Sequence, residues 1–198
     1  MALKQCHLSF FGGLGENMHE KRFSGAIDRL RAPERVARLE VERVVSLCLG
    51  SSKLRNVLDV GVGSGLFAEA FAEHGLEVSG VDANPEMIPA AQQYVPGGDF
   101  RLATAEALPY LASSFDLVFF GLVLHEADDP LKELQEARRV TRQQVCILEW
   151  PYLANDIFGP PLEHRLSPIT IEELAQHAGF TQVKRITLNH LVLYCMTA

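Results

Sequence analysis

Three glycines and one aspartate form the clearest chemical signal in this sequence of 198 residues. Gly61, Gly63 and Gly65 follow the apolar run 56–60 and precede a helical pattern, which is the strand–turn–helix setting of a nucleotide-binding loop. Glycine lets the backbone turn sharply and touch a ligand, and the first amides of a helix favour a carboxylate or phosphate. Asp82 ends the next apolar run, 21 residues after Gly61, where a carboxylate can accept both hydroxyls of a ribose. Together these residues predict a ligand that contains adenosine.

The spacing of the glycines separates two kinds of adenosine ligand. A dinucleotide-binding fingerprint would place its third glycine at position 66, which is Leu66 here. Asp59 lies two residues before Gly61, where an acid attracts a cationic amino group and repels a pyrophosphate. The pattern therefore favours S-adenosylmethionine, an amino acid joined to adenosine, over NAD.

His125 is the candidate catalytic residue, because it follows a predicted strand and imidazole titrates near neutral pH. It could act as a general base or orient a substrate, and simple packing is the competing interpretation. Tyr152, His164 and Arg165 are the candidate substrate residues, and they lie in a proline-rich segment that could equally be a solvated loop. The histidines do not have metal-ligand spacing, so we expect no metal site.

Aromatic side chains outside the central part of the chain suggest a partly aromatic or lipophilic substrate; they are Phe10, Phe11, Trp150, Tyr152 and Phe158. The first residues of the chain could help to close over a cofactor, through Phe10, Glu20 and Phe23.

Short apolar runs alternate with helical patterns through the middle of the chain, which predicts parallel strands buried on both faces. The predicted strands are 56–60, 76–81, 100–103, 115–120 and 145–149. The predicted helices are 17–31, 33–49, 66–74, one that opens at 84–86, and 129–140. Pro89 is expected to distort the helix in which it lies.

The alternation of apolar runs and helical patterns ends after Trp150. Residues 151–169 contain four prolines and are expected to form a lid or binding loop. Thr170 and Glu173 have the spacing of a capping box for a helix that ends at Gly179. The runs 181–188 and 190–196 predict two antiparallel strands with a tight connection.

Charge is distributed unevenly along the chain, whose net charge is −7. Residues 1–55 hold 10 Lys and Arg against 6 Asp and Glu, whereas residues 56–198 hold 8 against 19. The acidic main body argues against non-specific nucleic-acid binding, which needs a basic surface. The arginines of 31–43 fit the solvated face of a helix, although they could approach an anionic substrate.

The four cysteines lie far apart and form no metal or redox motif, and no apolar run has the length of a membrane span. The first residues also lack the pattern of a cleaved signal peptide. A reduced, cytoplasmic protein with cysteines in its core is the simplest expectation.

The stretch 56–150 resembles a class I S-adenosylmethionine-dependent methyltransferase of the type 11 group, and is similar to the methyltransferases of ubiquinone and menaquinone biosynthesis. The motifs that carry the resemblance are VLDVGVGSG at 57–65, VDANPEM at 81–87, ATAEALPY at 103–110, SSFDLVFFGLVLHEADDP at 113–130 and HAGF at 177–180.

The resemblance implies where the parts of the cofactor would lie. Gly61, Gly63 and Gly65 would line its methionine portion, Asp59 would lie near its amino group, and Asp82 would bind the ribose hydroxyls. The other implied positions are Ala83 and Met87 packed on the adenine, Ala105 hydrogen-bonded to it, and Gly121 and Leu122 beside the sulfonium.

Thr104 departs from the family, which often has Asp or Asn at this position to accept a hydrogen bond from the adenine amino group. A hydroxyl accepts more weakly than a carboxylate, so Glu106 is the alternative acceptor.

These patterns predict a single α/β domain, a Rossmann-like, doubly wound and mostly parallel seven-stranded sheet with an antiparallel last strand and N-terminal helices. Residues 1–50 would form a helical cap, 51–150 the cofactor-binding core, 151–169 a lid-like loop, and 170–198 the final helix and strand pair.

The predicted function is methyl transfer from S-adenosylmethionine to a small molecule. Three alternatives are an RNA or protein methyltransferase, an NAD-dependent oxidoreductase, and a non-catalytic S-adenosylmethionine-binding protein. Leu66 and Asp59 argue against the oxidoreductase. The non-catalytic protein stays open, because a fold does not determine a function.

Overall fold

A computed structural model describes residues 27–154 and 158–197. Its strands are β1 (Asn56–Val60), β2 (Glu77–Asp82), β3 (Asp99–Leu102), β4 (Phe115–Gly121), β5 (Thr141–Glu149), β6 (Gln182–Thr187) and β7 (Val192–Thr197). Its α-helices are α1 (Pro33–Leu39), α2 (Val41–Leu49), α3 (Leu66–Glu73), α4 (Met87–Tyr94), α5 (Pro130–Val140) and α6 (Pro168–His177), with 3₁₀ helices at Ile27–Arg31, Leu124–Glu126 and Leu162–His164.

The described strands form one sheet in the order β3-β2-β1-β4-β5-β7-β6. β7 runs antiparallel to both of its neighbours, and the other adjacent pairs are parallel. The predicted doubly wound sheet with an antiparallel last strand is confirmed.

The centre of the sheet is buried on both faces, as its continuous apolar runs predicted. In β4, Leu117 and Phe119 pack into a core shared with α2 and α3, whereas Val118 and Phe120 pack into a core shared with α5 and α6. All four side chains are fully buried. The period-two alternation of a strand thus binds one helical layer to each face.

The strand order reverses between β1 and β4, which leave opposite ways from the middle of the sheet. In open α/β sheets, the carboxyl ends of the strands at this reversal enclose a crevice that binds ligands. The glycine loop follows β1, and Asp82, Gly121 and Glu149 are the last residues of β2, β4 and β5.

The single helix predicted over 33–49 is wrong, because Glu40 interrupts it with a left-handed backbone conformation, φ 49°. The Glu40 carboxylate accepts hydrogen bonds from Arg43 Nη1 at 2.6 Å and from the backbone amide of Asn189 at 2.8 Å. These contacts tie the break between α1 and α2 to the connection between β6 and β7, which local sequence patterns do not reveal.

Two other helices begin at residues that differ from the prediction. α4 begins at Met87, because the Asn84 side chain accepts from the Glu86 amide at 3.0 Å and holds a turn before the helix. It continues through Pro89, which lies in the first turn, where no amide donor is needed. α6 begins at Pro168, because Ser167 Oγ accepts from the Thr170 amide and takes the capping position assigned to Thr170.

Several predictions fall on residues outside the described ranges. Phe10, Phe11, Glu20 and Phe23 are among them, as is the first part of the helix predicted over 17–31, of which 27–31 form a 3₁₀ helix. Within the described ranges, Cys48 and Cys146 are buried and Cys195 is partly buried, all three without a disulfide. No helix in these ranges is long and apolar enough to cross a membrane.

Candidate functional site

A cavity of about 570 Å³ opens in the crevice at the carboxyl edge of the sheet. The residues predicted from the sequence that line it are Asp59, Gly61, Gly63, Asp82, Ala83, Met87, Thr104, Ala105, Gly121, Leu122 and His125. The predicted residues that do not line it are Gly65, Glu106, Tyr152, His164 and Arg165. The structure therefore brings together most of the candidate cofactor residues and the candidate catalytic histidine, but none of the candidate substrate residues.

Asp82 fixes the glycine loop to the end of β2. Its Oδ2 accepts a hydrogen bond from the Gly63 amide at 2.8 Å, and its Oδ1 accepts from the Asn84 amide at 2.9 Å. Each carboxylate oxygen has a second lone pair, so Asp82 can still accept the two hydroxyls of a ribose.

Gly65 has a structural reason to be glycine. Its φ is 76°, and a Cβ at this position would lie 3.0 Å from Cα of Ala91 in α4. The third glycine therefore lets α3 and α4 approach each other at the back of the loop, while Gly61 and Gly63 line the cavity.

Two carboxyl groups line the cavity, Asp59 fully buried and Asp82 partly buried. Burial, with the nearby charge of Asp82, raises the pKa of Asp59 to about 8, although a backbone hydrogen bond from Ala68 opposes the shift. Burial also raises the pKa of Asp82, against its hydrogen bonds from the Asn84 and Gly63 amides. In the described part of the chain no cationic side chain pairs with either acid, so a cationic ligand group would relieve both.

The residues at and around the glycine loop fit S-adenosylmethionine in three respects. The buried Asp59 suits the α-ammonium group of the methionine portion, and Asp82 suits the ribose. Ser64 also lines the cavity, and its buried Oγ has no hydrogen-bond partner. A buried hydroxyl without a partner costs free energy, so a polar ligand group that bonds to it stabilises the complex.

The opposite end of the cavity is where the resemblance puts the adenine. Ala83, Met87, Thr104 and Ala105 line this part, whereas Glu106 does not. Thr104 is therefore the better placed of the two candidates for the adenine amino group, and its contact with adenine stays a prediction.

His125 lies at the base of the cavity and is almost fully buried. Its Nδ1 lies 2.9 Å and 3.1 Å from the two carboxylate oxygens of Glu149, and its Nε2 lies 4.0 Å from Glu126 Oε1. Burial alone lowers the pKa of His125, but the charge and hydrogen bond of Glu149, with the charge of Glu126, outweigh it and raise the pKa. Glu149 thus orients the imidazole and favours its charged form, and the role of His125 as a base stays a prediction.

Several polar residues of this site were not predicted from the sequence, among them Glu149, Arg35 and Glu133. Glu149 is the last residue of β5 and is as buried as Asp59, so its position, equivalent to that of Asp82 on β2, was the available signal. Arg35 lines the cavity, although the sequence placed it on a solvated helix face. Glu133 of α5 lines it too, and no local pattern distinguished it from other helix acids.

Arg165 has a structural role. Its guanidinium is buried and donates to the backbone carbonyls of Pro151 and Pro160, each at 2.8 Å, and to that of Phe158. It therefore holds together the two ends of the proline-rich segment, whose Gly159 and Pro160 line the cavity. Tyr152 is exposed and lies outside the cavity wall.

The part of the chain that forms most of this cavity is similar to known proteins. Residues 58–148 match the family model described as a methyltransferase domain. The chain is 35% identical over 120 residues to a demethylmenaquinone methyltransferase of Renibacterium salmoninarum, covering 60% of this chain and 49% of that protein. It is 37% identical over 107 residues to a ubiquinone biosynthesis O-methyltransferase of Cereibacter sphaeroides, covering 52% and 43%. The chain thus spans about half the length, or less, of these curated relatives.

A solved structure, that of a SAM-dependent methyltransferase from Aquifex aeolicus, has the same fold. Its TM-score is 0.75 at 22% identity, with 86% of this chain and 96% of that chain covered. This neighbour confirms the predicted Rossmann-like fold, and the family match with the two relatives confirms the resemblance noted for 56–150.

Proposed function

We propose that this chain, in which residues 58–148 are an S-adenosylmethionine-dependent methyltransferase domain, transfers a methyl group from that cofactor to a small organic acceptor in the same cavity. The observation that carries the proposal is that one cavity is lined by Asp59, Asp82 and His125. The acids suit the cofactor, and the histidine suits an acceptor whose attacking atom must lose a proton.

The cofactor, when bound, supplies an electrophilic methyl group on its sulfonium. The contribution of the chain is to bind, orient and exclude water. Asp59 would hold the ammonium group and Asp82 the ribose, and Gly121 and Leu122 at the end of β4 would lie beside the sulfonium. Positioning of this kind accounts for a large part of the rate of a two-reactant transfer.

His125 would take the proton from the attacking atom of the acceptor. Because Nδ1 donates to Glu149, Nε2 is the nitrogen that can accept a proton. Glu149 fixes this tautomer and stabilises the imidazolium that forms, so we assign it as the positioning residue of the pair.

The size and charge of the site support a small acceptor. The cavity is within the range of about 300–1,000 Å³ that small-molecule sites occupy, and the cofactor must share it. The acidic body of the chain offers little attraction to RNA. The two quinone-related names among the relatives are consistent with a small acceptor, and its identity is open.

Binding of the cofactor is the first test. We expect S-adenosylmethionine and S-adenosylhomocysteine, but not NAD, to raise the midpoint of thermal unfolding, and Asp82→Ala to abolish the shift. Asp99→Ala, which removes an exposed acid from β3, should keep it. A shift with NAD alone, or an unchanged shift in Asp82→Ala, would contradict the proposed cofactor site.

Methyl transfer is the second test. Protein with tritium-labelled S-adenosylmethionine is incubated with small-molecule, RNA and protein fractions of a cell extract. We expect label in the small-molecule fraction and at least about a hundredfold less with His125→Ala, the usual loss of a general base. Label confined to RNA or protein would favour the alternative acceptors, and cofactor binding without any transfer would favour a non-catalytic binding protein.

A further inference from the structure

The cavity contains a positive charge that the methyl-transfer chemistry described above does not use. Among the described residues that line it, Arg35 is the one with a permanently charged cation. Its Nε is buried and has no hydrogen-bond partner. Leaving a buried charged donor without an acceptor is costly, so the site is incomplete without an anion.

The surroundings of Arg35 place it on the acceptor side of the cavity. Its charged neighbours are Arg38, on the same helix, and Glu126, which flanks His125. Burial and the Arg38 charge lower the pKa of Arg35, against the attraction of Glu126, so its cation is held in an unfavourable setting. Arg38 itself stacks over the Phe158 ring at 3.6 Å, beside the proline-rich segment.

Leu30 and Arg31, which precede α1, lie against the glycine loop. Leu30 Cδ1 lies 3.4 Å from the position that a Cβ on Gly63 would take. Arg31 donates from Nε to the Ser64 carbonyl at 3.3 Å and forms an ion pair with Glu69 at 2.7 Å. Leu30 and Arg31 thus lie against the glycine loop, where the methionine portion would bind, whereas Arg35 interacts with the charge of Glu126, the neighbour of His125.

We propose that Arg35 binds a carboxylate of the methyl acceptor, and that the acceptor is therefore a small organic acid with an apolar or aromatic body. A guanidinium can donate two parallel hydrogen bonds to a carboxylate, and the unpartnered Nε belongs to such a donor pair. Leu39 lies one helical turn after Arg35 on α1, and Trp150 also lines the cavity, so both are available to pack on the body of the acid. The carboxylate anchors one end of the acceptor, and the hydroxyl or amine to be methylated lies at His125. This inference rests on the proposed function.

The test measures binding of acids and their uncharged counterparts to protein saturated with S-adenosylhomocysteine. The probes are 4-hydroxybenzoate against phenol and 3,4-dihydroxybenzoate against catechol, titrated by calorimetry into the wild type, Arg35→Gln, Arg35→Lys and Arg29→Gln. Arg29→Gln removes the same charge from an exposed position on the preceding 3₁₀ helix and serves as the matched control.

We expect at least one acid to bind about tenfold or more tightly than its uncharged counterpart. Arg35→Gln should remove this preference, Arg35→Lys should keep part of it, and Arg29→Gln should keep all of it. The proposal would be overturned if both Arg35 variants and the Arg29→Gln control showed the same preference for the acid over its uncharged counterpart. It would also be overturned if neither acid bound to the saturated wild type.

Affinity for S-adenosylhomocysteine itself separates the two carboxylates that Arg35 could bind. We expect it to change less than about threefold in Arg35→Gln. A loss of tenfold or more would mean that Arg35 binds the methionine carboxylate of the cofactor, which overturns the acceptor assignment but not the proposed function. Failure of the wild type to bind S-adenosylhomocysteine would instead contradict the proposed function.

Discussion

At the scale of single residues, burial of Asp59 makes the stability of the ligand-free protein depend on pH. Its folded-state pKa of about 8 lies above the ordinary value of 3.8, so the folded chain holds this proton more tightly than the unfolded chain does. Stability without ligand must therefore fall as the pH rises from about 4 to about 8, because ionisation of Asp59 is easier in the unfolded chain.

Asp59→Asn should remove the loss of stability that ionisation of Asp59 causes at high pH. We expect the ligand-free variant to unfold several degrees higher than the wild type at pH 8.5, since each kcal/mol moves the midpoint by about 2–4 °C at this size, with a smaller difference at pH 5. S-adenosylmethionine should bind at least about tenfold more weakly, because the partner of its ammonium group has lost its charge. Thermal unfolding against pH, with and without the cofactor, measures both. A variant that melts below the wild type at pH 8.5 and binds the cofactor equally well would contradict this account.

Glu149 should control the protonation of His125. Because Glu149 raises the pKa of His125 against the effect of burial, Glu149→Gln should lower the pKa of His125, measured by NMR titration of the imidazole protons. The ion pair stabilises the fold fully below the unfolded-state pKa of histidine, and this contribution is lost as the pH rises through the folded-state pKa. In the proposed reaction the rate should accordingly increase with pH through the His125 pKa. Glu126→Gln is the matched control and should cause a smaller shift, because its carboxylate is 4.0 Å away.

The candidate cofactor residues were easier to predict from the sequence than the other residues that line the cavity, for a physical reason. Asp59, Gly61 and Gly63 are neighbours in the chain, so a local pattern contains most of their geometry. The pair of His125 and Glu149 joins the ends of β4 and β5, 24 residues apart, and only strand adjacency brings them together. Arg35 has the residue type of a solvated helix face, and only the tertiary placement of α1 turns it to the cavity.

At the scale of elements, the strands at the centre of the sheet were predicted well, because β1, β4 and the second half of β5 are short apolar runs with both faces buried. The helix starts were less predictable, since competing caps lie within a few residues of each other. Ser167 and Thr170 are both good caps, and the proline at 168 favours the earlier start. The break at Glu40 had no local signal, because its contact with Asn189 spans 149 positions.

The proline-rich segment should depend on Arg165. Lysine keeps the charge but cannot donate to three separate carbonyls in a fixed plane, so Arg165→Lys should lower the free energy of unfolding by about 1–3 kcal/mol. Amide exchange of residues 158–165 should become faster while that of β1 is unchanged. Arg43→Lys, at an exposed ion pair with Glu40, is the control and should cost less than about 0.5 kcal/mol. An equal effect of the two substitutions would contradict the role given to Arg165.

At the scale of the whole molecule, the cavity is enclosed by segments from distant parts of the chain. The sheet edge supplies the floor, and α1 and the proline-rich segment meet above it through the contact of Arg38 with Phe158. Trp150, the single tryptophan of the chain, lines the cavity at this meeting and is buried. Its fluorescence should therefore report how tightly the two segments close.

Gly159 packs so closely on Trp150 that a single added methyl group should disturb the contact between α1 and the proline-rich segment. Its φ is 78°, and a Cβ there would lie 2.4 Å from the Trp150 ring, so Gly159→Ala must move the indole. We expect a red-shifted emission from Trp150, because its ring becomes more exposed to water, and weaker binding of aromatic acceptors. Cofactor affinity should change less than about threefold, since Asp59 and Asp82 belong to β1 and β2, whereas Trp150 follows β5, with β4 between β1 and β5. Gly179→Ala imposes a similar backbone strain, φ 88°, with nothing within 4 Å, so it should lower stability and leave the emission unchanged. If both variants shift the emission equally, backbone strain and not displacement of Trp150 is the cause, and the closure described here is wrong.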